Sequence, residues 1–495
     1  MDLLKLNARD NVAVALKNLR AGEIVSYNEG EVCPLRDIPG GHKVALQEIH
    51  AGENIVKYGF PIGKAAEDIP QGQWVHTHNL KTNLGEVLTY HYSPRKTDSV
   101  NPAPAATFQG FRRTDGKVGI RNEIWVIPTV SCVNRIAELI AKTAGETLKQ
   151  RETIDGVFEF KHPYGCSQMG EDQLLTQQIL ADLIHHPNAG GVLVLGLGCE
   201  NSNIAEIKKR LGDYDPERVK FMVAQEVEDE IETGVQLVLQ LADYVRSFKR
   251  EGCSVAELTV GLKCGGSDGF SGITANPLVG RFSDHLIAQG GSTILTEVPE
   301  MFGAETILMN RALNQEVFEK TVSLINDFKA YYAFHEQPIY ENPSPGNKQG
   351  GISSLEDKAL GCTQKGGNSQ VVDVLKYAER VHARGLNLLS APGNDMVAST
   401  ALAAAGCQLI LFTTGRGTPL GTCVPTLKIA TNSELFKHKT NWMDFNAGRL
   451  LEGLSMDDLA LEFWDHVLTI ANGNKTQSEK LGFREIAIFK SGVTL

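Results

Sequence analysis

The chain has 495 residues, 42% of them apolar and 22% charged, with a formal net charge of −11. Such a length predicts about three domains. The acidic balance excludes general nucleic-acid binding, which needs a basic surface. The N-terminus, Met1-Asp2-Leu3-Leu4-Lys5, lacks the apolar core and cleavage site of a signal peptide. No apolar run is long enough to span a bilayer, so a cytoplasmic location and no membrane partner are expected. The nine cysteines are scattered and form no C-x-x-C pair. They read as reduced thiols, not as a disulfide framework or a paired-cysteine zinc site.

Residues 1–82 are expected to form a small all-β unit. Short β-rich runs at 23–27, 42–46 and 54–58 are separated by glycine turns. The unit ends in Trp74-Val75-His76-Thr77-His78-Asn79. Residues i and i+2 of a strand share a face, so His76 and His78 would offer two imidazoles to a metal or a substrate carboxylate. Two surface histidines at a strand end is the plainer alternative. Residues 83–108 carry Pro94, Pro102 and Pro104 with little periodicity, and read as a linker.

Residues 109–248 alternate strand and helix. Strands are predicted at 123–128, 156–160 and 191–195, and helices at 133–148, 172–185 and from Asn203, which implies a parallel sheet. The second strand leads into His162-Pro163-Tyr164-Gly165-Cys166-Ser167-Gln168, and the third into Gly196-Leu197-Gly198-Cys199-Glu200-Asn201. The latter lacks the third glycine of a dinucleotide fingerprint, and no ribose-binding carboxylate follows, so a nicotinamide cofactor is not expected. Cys199 and Glu200 stand at a strand-to-helix turn, which favours an anion.

Residues 249–495 repeat the strand-then-loop design. The apolar run 258–262 opens on Lys263-Cys264-Gly265-Gly266-Ser267-Asp268-Gly269. Further strands at 292–295, 386–389, 409–412 and 428–430 open on loops bearing Glu297 and Glu300, Asn394 and Asp395, Arg416, and Asn432. In an open parallel sheet ligands bind outside the carboxyl ends of the strands, and the polar residues of this region gather there. The aperiodic stretch 338–367 is expected to be an ordered lid or binding loop. Within it Lys348 and Lys365 are candidates to hold a substrate carboxylate, against the usual fate of lysine as a solvated side chain.

Glu200, Asp268, Glu297, Glu300 and Asp395 offer oxygen ligands to a divalent cation. A cation beside a positioned base suits removal of a proton next to a carboxylate, because it stabilises the charge that forms. A general acid then releases the β-hydroxyl as water. Cys166, Cys199, Cys264 and Cys362 each sit beside a loop glycine. Together they raise an iron–sulfur alternative, although the usual cluster spacings are missing and buried structural cysteine is the default for any one of them.

At these motifs the sequence resembles the altronate/galactarate dehydratase family. The likeness runs nearly the full length. It also includes Glu297-Val298-Pro299-Glu300, Glu341-Asn342-Pro343-Ser344-Pro345-Gly346-Asn347, Leu360-Gly361-Cys362-Thr363-Gln364-Lys365 and the C-terminal Lys490-Ser491-Gly492-Val493-Thr494-Leu495. The resemblance implies a hydro-lyase that converts a sugar acid into a 2-keto-3-deoxy acid. The expected case is D-altronate to 2-dehydro-3-deoxy-D-gluconate in hexuronate catabolism, with Fe(2+) or Mn(2+) as cofactor. It implies an N-terminal SAF-like β-clip, an α/β middle domain that makes a homodimer, and a C-terminal Rossmann-like parallel-sheet domain holding the metal. On that footing Glu297, Glu300, Asp268, His76 and His78 are assigned to the metal. Lys365, His76, His78 and Asp268 are assigned to catalysis, and Ser267, Asn347, Lys348, Asn394 and Arg416 to the substrate. A galactarate dehydratase, an iron–sulfur dehydratase and a non-catalytic sugar-acid binder remain as alternatives.

Overall fold

The computed structural model describes residues 2–85, 88–95, 105–149 and 153–495. Its N-terminal part is all β. Leu3–Leu4, Val12–Ala15, Lys43–Ala45 and Trp74–Val75 make one antiparallel sheet in that order. Asn54–Lys57, Phe60–Ala65 and Leu80–Lys81 make a second, and Val25–Tyr27 pairs with Gly30–Val32. Alternate residues of a strand face opposite ways, and here both faces are covered. Val12 and Ala45 enter one small core, while Ala13, Ala15 and Val44 enter another.

The middle part is a four-stranded parallel sheet, ordered Gly156–Glu159, Glu123–Pro128, Ala189–Gly196, Val219–Val223. Its two central strands are buried at every residue, as expected of a sheet covered on both faces. Helices Asn134–Leu148 and Glu230–Val245 pack on one face. On the other face, Gly170–Ile184 and Ile204–Leu211 share a continuous apolar core with Asp395–Ala404 of the C-terminal part.

The C-terminal part is a seven-stranded parallel sheet. Its order is Val371–Leu375, Leu386–Leu389, Ser292–Leu295, Thr259–Cys264, Leu409–Thr414, Thr426–Ala430, Phe445–Asn446. Thr259–Cys264 is first in the chain yet central in the sheet. Later strands add to one side of it and then to the other, so a topological switch point lies at its carboxyl end. Thr107–Arg112 pairs antiparallel with Arg250–Ser254, which ties together the entry and exit of the middle part. That first strand begins inside the segment expected to be linker. Residues 86–87 and 96–104 of the expected linker lie outside the described residues. Its described portion is anchored: the Tyr90 hydroxyl donates to Glu305 at 2.5 Å and the Tyr92 hydroxyl to the Ala312 carbonyl at 2.7 Å.

The stretch 338–367, aperiodic in sequence, contains two short helices, Pro345–Gln349 and Leu355–Cys362, and a 3-10 turn at Thr363–Gly366. All eight residues of Leu355–Cys362 are buried. A helix buried all round has no polar face, so it carries no amphipathic period. The N-terminal part covers one side of it, and the C-terminal part covers the other. The Lys43 ammonium donates to Asp357 Oδ2 at 2.7 Å and to the Gly351 carbonyl at 2.8 Å, and the Lys57 ammonium lies 2.9 Å from Asp357 Oδ1. Burial pushes the Asp357 carboxyl up, but the two ammonium groups outweigh burial and hold it far below the usual range. Burial lowers Lys43 to about 8 despite the carboxylate beside it.

Removing one partner of a buried ion pair strands the others without compensation. Asp357→Asn is therefore expected to destabilise the protein by about 3–5 kcal/mol, measured by denaturant unfolding; a loss below about 1 kcal/mol would contradict a buried latch. Because the folded-state pKa of Asp357 is depressed, its contribution is complete above the unfolded value of 3.8 and fades as pH falls below it.

Candidate active site

Two adjacent central strands end together. Thr259–Cys264 delivers Lys263 and Cys264, and Ser292–Leu295 leads into Glu297, just before the 3-10 turn Val298–Met301, and Glu300 within it. The buried helix Leu355–Cys362 brings Lys358 and Cys362, and the turn after it brings Lys365. Asp395 comes from the start of helix Asp395–Ala404.

The side chains form one connected cluster. Cys264 Sγ lies 3.4 Å from Cys362 Sγ and 3.1 Å from Glu300 Oε2, which is also 3.2 Å from Cys362 Sγ. Among the described residues, Cys264, Glu300 and Cys362 are the one group of three or more ligand-type side chains whose ligand atoms all lie within 4.8 Å of one another. Around it stand three ammonium groups. Lys365 Nζ is 2.8 Å from Cys264 Sγ and 3.2 Å from Glu297 Oε2. Lys358 Nζ is 2.7 Å from Glu300 Oε1. Lys263 pairs with Glu297 and, at 2.8 Å, with Asp395. Glu297 also accepts the Cys264 amide at 3.0 Å.

Burial sets the electrostatics and neighbours tilt them. Burial and the adjacent Glu300 raise the Glu297 carboxyl, against the pull of Lys263 and Lys365. Burial would raise Glu300 too, but Lys358, Lys263 and Lys365 outweigh it and hold Glu300 far down. Burial lowers Lys365, yet Cys264 and Glu297 more than reverse this and keep it protonated. The hydrogen bond to Cys264, together with burial, raises Cys362 well above an ordinary thiol. Glu297 adopts a left-handed backbone with φ +70°. Such conformations are costly for a non-glycine residue and collect at functional sites.

Several sequence assignments fall elsewhere. The strand ends at Val75, so His76 and His78 lie in a turn and do not share a strand face. His76 is buried and stacks on Trp74 with centroids 5.3 Å apart, while His78 is exposed. Neither belongs to the ligand group. Asp268 is also outside that group; its carboxylate accepts from Ser271, Thr431, Asn432 and the Phe270 amide, and so holds its own loop. Asn347 is consumed by a capping box with Ser344 and by the Ser267 carbonyl. Asn394 caps the helix that begins at Asp395. Arg416 is exposed and donates to Gln349, and Lys348 is half-buried. Ser267 has a buried hydroxyl without a hydrogen-bond partner, beside a small cavity that Lys57, Asp268, Lys358 and Cys362 also line. Cys166 and Cys199 are exposed on the middle part, away from Cys264 and Cys362, which are buried.

Sequence reasoning gave no role to Lys263 or Lys358. The signal for Lys358 was present: Lys358, Cys362 and Lys365 are spaced by four and three, one face of a helical stretch.

Comparison with known proteins agrees with this architecture. Residues 1–83 match the SAF domain of altronate/galactarate dehydratases. Residues 110–246 match the second domain of D-galactarate dehydratase/altronate hydrolase, and residues 255–494 match the C-terminal domain of D-galactarate/altronate dehydratases. The chain is 56% identical to an altronate dehydratase of Bacillus subtilis (strain 168) over 493 residues, 99% of each chain. It is 55% identical to an altronate dehydratase of Escherichia coli (strain K12) over the whole of both chains. It is 34% identical to a galactarate dehydratase (L-threo-forming) of the same organism over 98% of this chain and 96% of that one. With all three parts matched in order, the chain belongs to the D-galactarate/altronate dehydratase family.

Proposed function

We propose that this protein is a hydro-lyase that removes water from D-altronate to give 2-dehydro-3-deoxy-D-gluconate, and that it works as a homodimer with a divalent metal. The family and the 55–56% identity to two altronate dehydratases support the substrate, as against 34% for the galactarate enzyme. The observation that carries the chemistry is the convergence of Cys264, Cys362 and Glu300 at the switch point of the sheet.

The residues present fit a metal. Two sulfurs and a carboxylate oxygen already converge, and thiolate donors favour iron(II) over the harder manganese(II). Charge also balances. Lys263, Lys358 and Lys365 face Glu297, Glu300 and Asp395, and a divalent ion that displaces two thiol protons leaves that balance unchanged. When bound, the ion supplies Lewis acidity toward the oxygens of the sugar acid.

The remaining work belongs to the chain. Lys365 stays protonated and fixes positive charge where the substrate carboxylate gains electron density as the α-proton leaves. Glu297 Oε2 takes that proton, because a carboxylate raised by burial is the stronger base, and then returns it to the departing β-hydroxyl, so that proton and hydroxide leave together as water. Lys263 holds Glu297 and Asp395 in place. The Asp395 side chain, 36% exposed, is where the otherwise buried cluster reaches solvent.

Two outcomes test this. Lys365→Met is expected to lower kcat on D-altronate by about 10²–10³-fold while the protein still binds iron(II); unaltered turnover would remove Lys365 from the mechanism. Chelator-treated protein given iron(II) anaerobically is expected to form keto acid from D-altronate and not from D-galactarate or D-mannonate. Turnover of D-galactarate instead would keep the chemistry and change the substrate.

A further inference from the structure

We propose that Cys132, Cys166 and Cys199 form a second, separate site in the middle part, which holds an iron–sulfur cluster of the four-iron type. The three cysteines lie on the segments that follow the carboxyl ends of three adjacent parallel strands, Glu123–Pro128, Gly156–Glu159 and Ala189–Gly196. All three are exposed and free, whereas structural cysteine is usually buried.

The segments that carry them are fastened to one another. The Ser131 amide donates to the Tyr164 carbonyl at 2.9 Å, and the Ser202 amide donates to the Gly165 carbonyl at 3.0 Å. Gly165, at φ +104°, approaches the Thr129 backbone so closely that a Cβ would lie 2.0 Å from its carbonyl oxygen. The Thr129 hydroxyl donates to buried Glu200 at 2.7 Å, and Glu200 also accepts the Leu197 and Gly198 amides. Asn201 Oδ1 accepts from the Ser167 amide at 3.0 Å and from Cys166 Sγ at 3.3 Å. Each cysteine is thus an exposed residue held on a braced backbone.

The thiols do not converge as tightly as Cys264 and Cys362, since they are absent from any group with ligand atoms within 4.8 Å. Spread thiolates suit a polynuclear cluster, whose corners are wider apart than the ligands of one ion. Polar groups already approach two of the sulfurs: Gln225 Nε2 lies 3.8 Å from Cys199 Sγ, and the Ser167 hydroxyl lies 3.9 Å from Cys166 Sγ. Hydrogen bonds to sulfur tune such clusters. The carboxylate in the neighbourhood, Glu200, is turned inward and fully used, so it does not compete. Three thiolates leave one iron corner free for an oxygen ligand such as the hydroxyl of a hydroxy acid.

The test is anaerobic reconstitution of the full chain with iron(II) and sulfide, followed by iron and acid-labile sulfide analysis and visible and electron paramagnetic resonance spectroscopy. Cys264→Ser is expected to hold about four iron and four sulfide per chain, and the wild type about one iron more at the Cys264 site, both with visible charge-transfer absorbance. Cys132→Ser, Cys166→Ser and Cys199→Ser are expected to lose the sulfide, the cluster iron and the absorbance, keeping at most the one iron of the Cys264 site, with circular dichroism spectra unchanged. Iron taken up without sulfide, no uptake at all, or a cluster kept by these three variants and lost in Cys264→Ser would overturn the proposal. The first of those outcomes would leave the mononuclear site intact.

Discussion

The interior of this protein is organised by a balance of buried charge. Three ammonium groups and three carboxylates surround two thiols at the carboxyl ends of parallel strands. An isolated charge is too costly to bury there, so each residue of the set depends on the others. Lys263 links Glu297 to Asp395, Lys365 links Glu297 to Cys264, and Lys358 holds Glu300. That mutual dependence holds the side chains of the cluster against one another. It also explains the strained backbone at Glu297, which persists because the neighbouring charges leave its carboxylate no better position.

The N-terminal part extends this arrangement outward. Lys43 and Lys57 grip Asp357, and the next residue of the same helix, Lys358, belongs to the inner cluster. Tyr58 and Lys57 line the small cavity beside Cys362 and the unpartnered Ser267 hydroxyl. The β unit is therefore coupled to the cluster through one buried helix. Its histidines stand apart from the Cys264–Glu300–Cys362 group. Trp74, His42 and His76 instead form an aromatic group, in which His42 Nε2 meets the Gln349 carbonyl at 3.2 Å.

Much of the fold was legible because its determinants are local. Glu123–Pro128 and Asn134–Leu148 carry strand and helix periods that tertiary contacts reinforce, and the rule that ligands gather at the carboxyl ends of parallel strands points to the cluster of buried charge. Glu297, Glu300, Cys264, Cys362 and Lys365 were all named from sequence and come together. What the sequence does not show has specific physical causes. Leu355–Cys362 hid because a fully buried helix has no amphipathic stripe. Asp268 and Asn347 carry the polar groups that a ligand would want, but spend them on Thr431, Asn432, Ser344 and the Ser267 carbonyl. Lys358 and Lys263 were passed over because a lone lysine is normally solvated, and only long-range pairing makes it a buried counter-ion.

In the proposed mechanism Cys264, Cys362 and Glu300 hold the divalent ion. X-ray absorption at the iron edge, on chelator-treated protein loaded with one equivalent of iron(II) and no sulfide, tests it most directly. A first shell containing two sulfurs, lost in the Cys264→Ser/Cys362→Ser double variant, is the expected result. A shell of oxygen and nitrogen alone, or a sulfur shell unchanged in that variant, would contradict it.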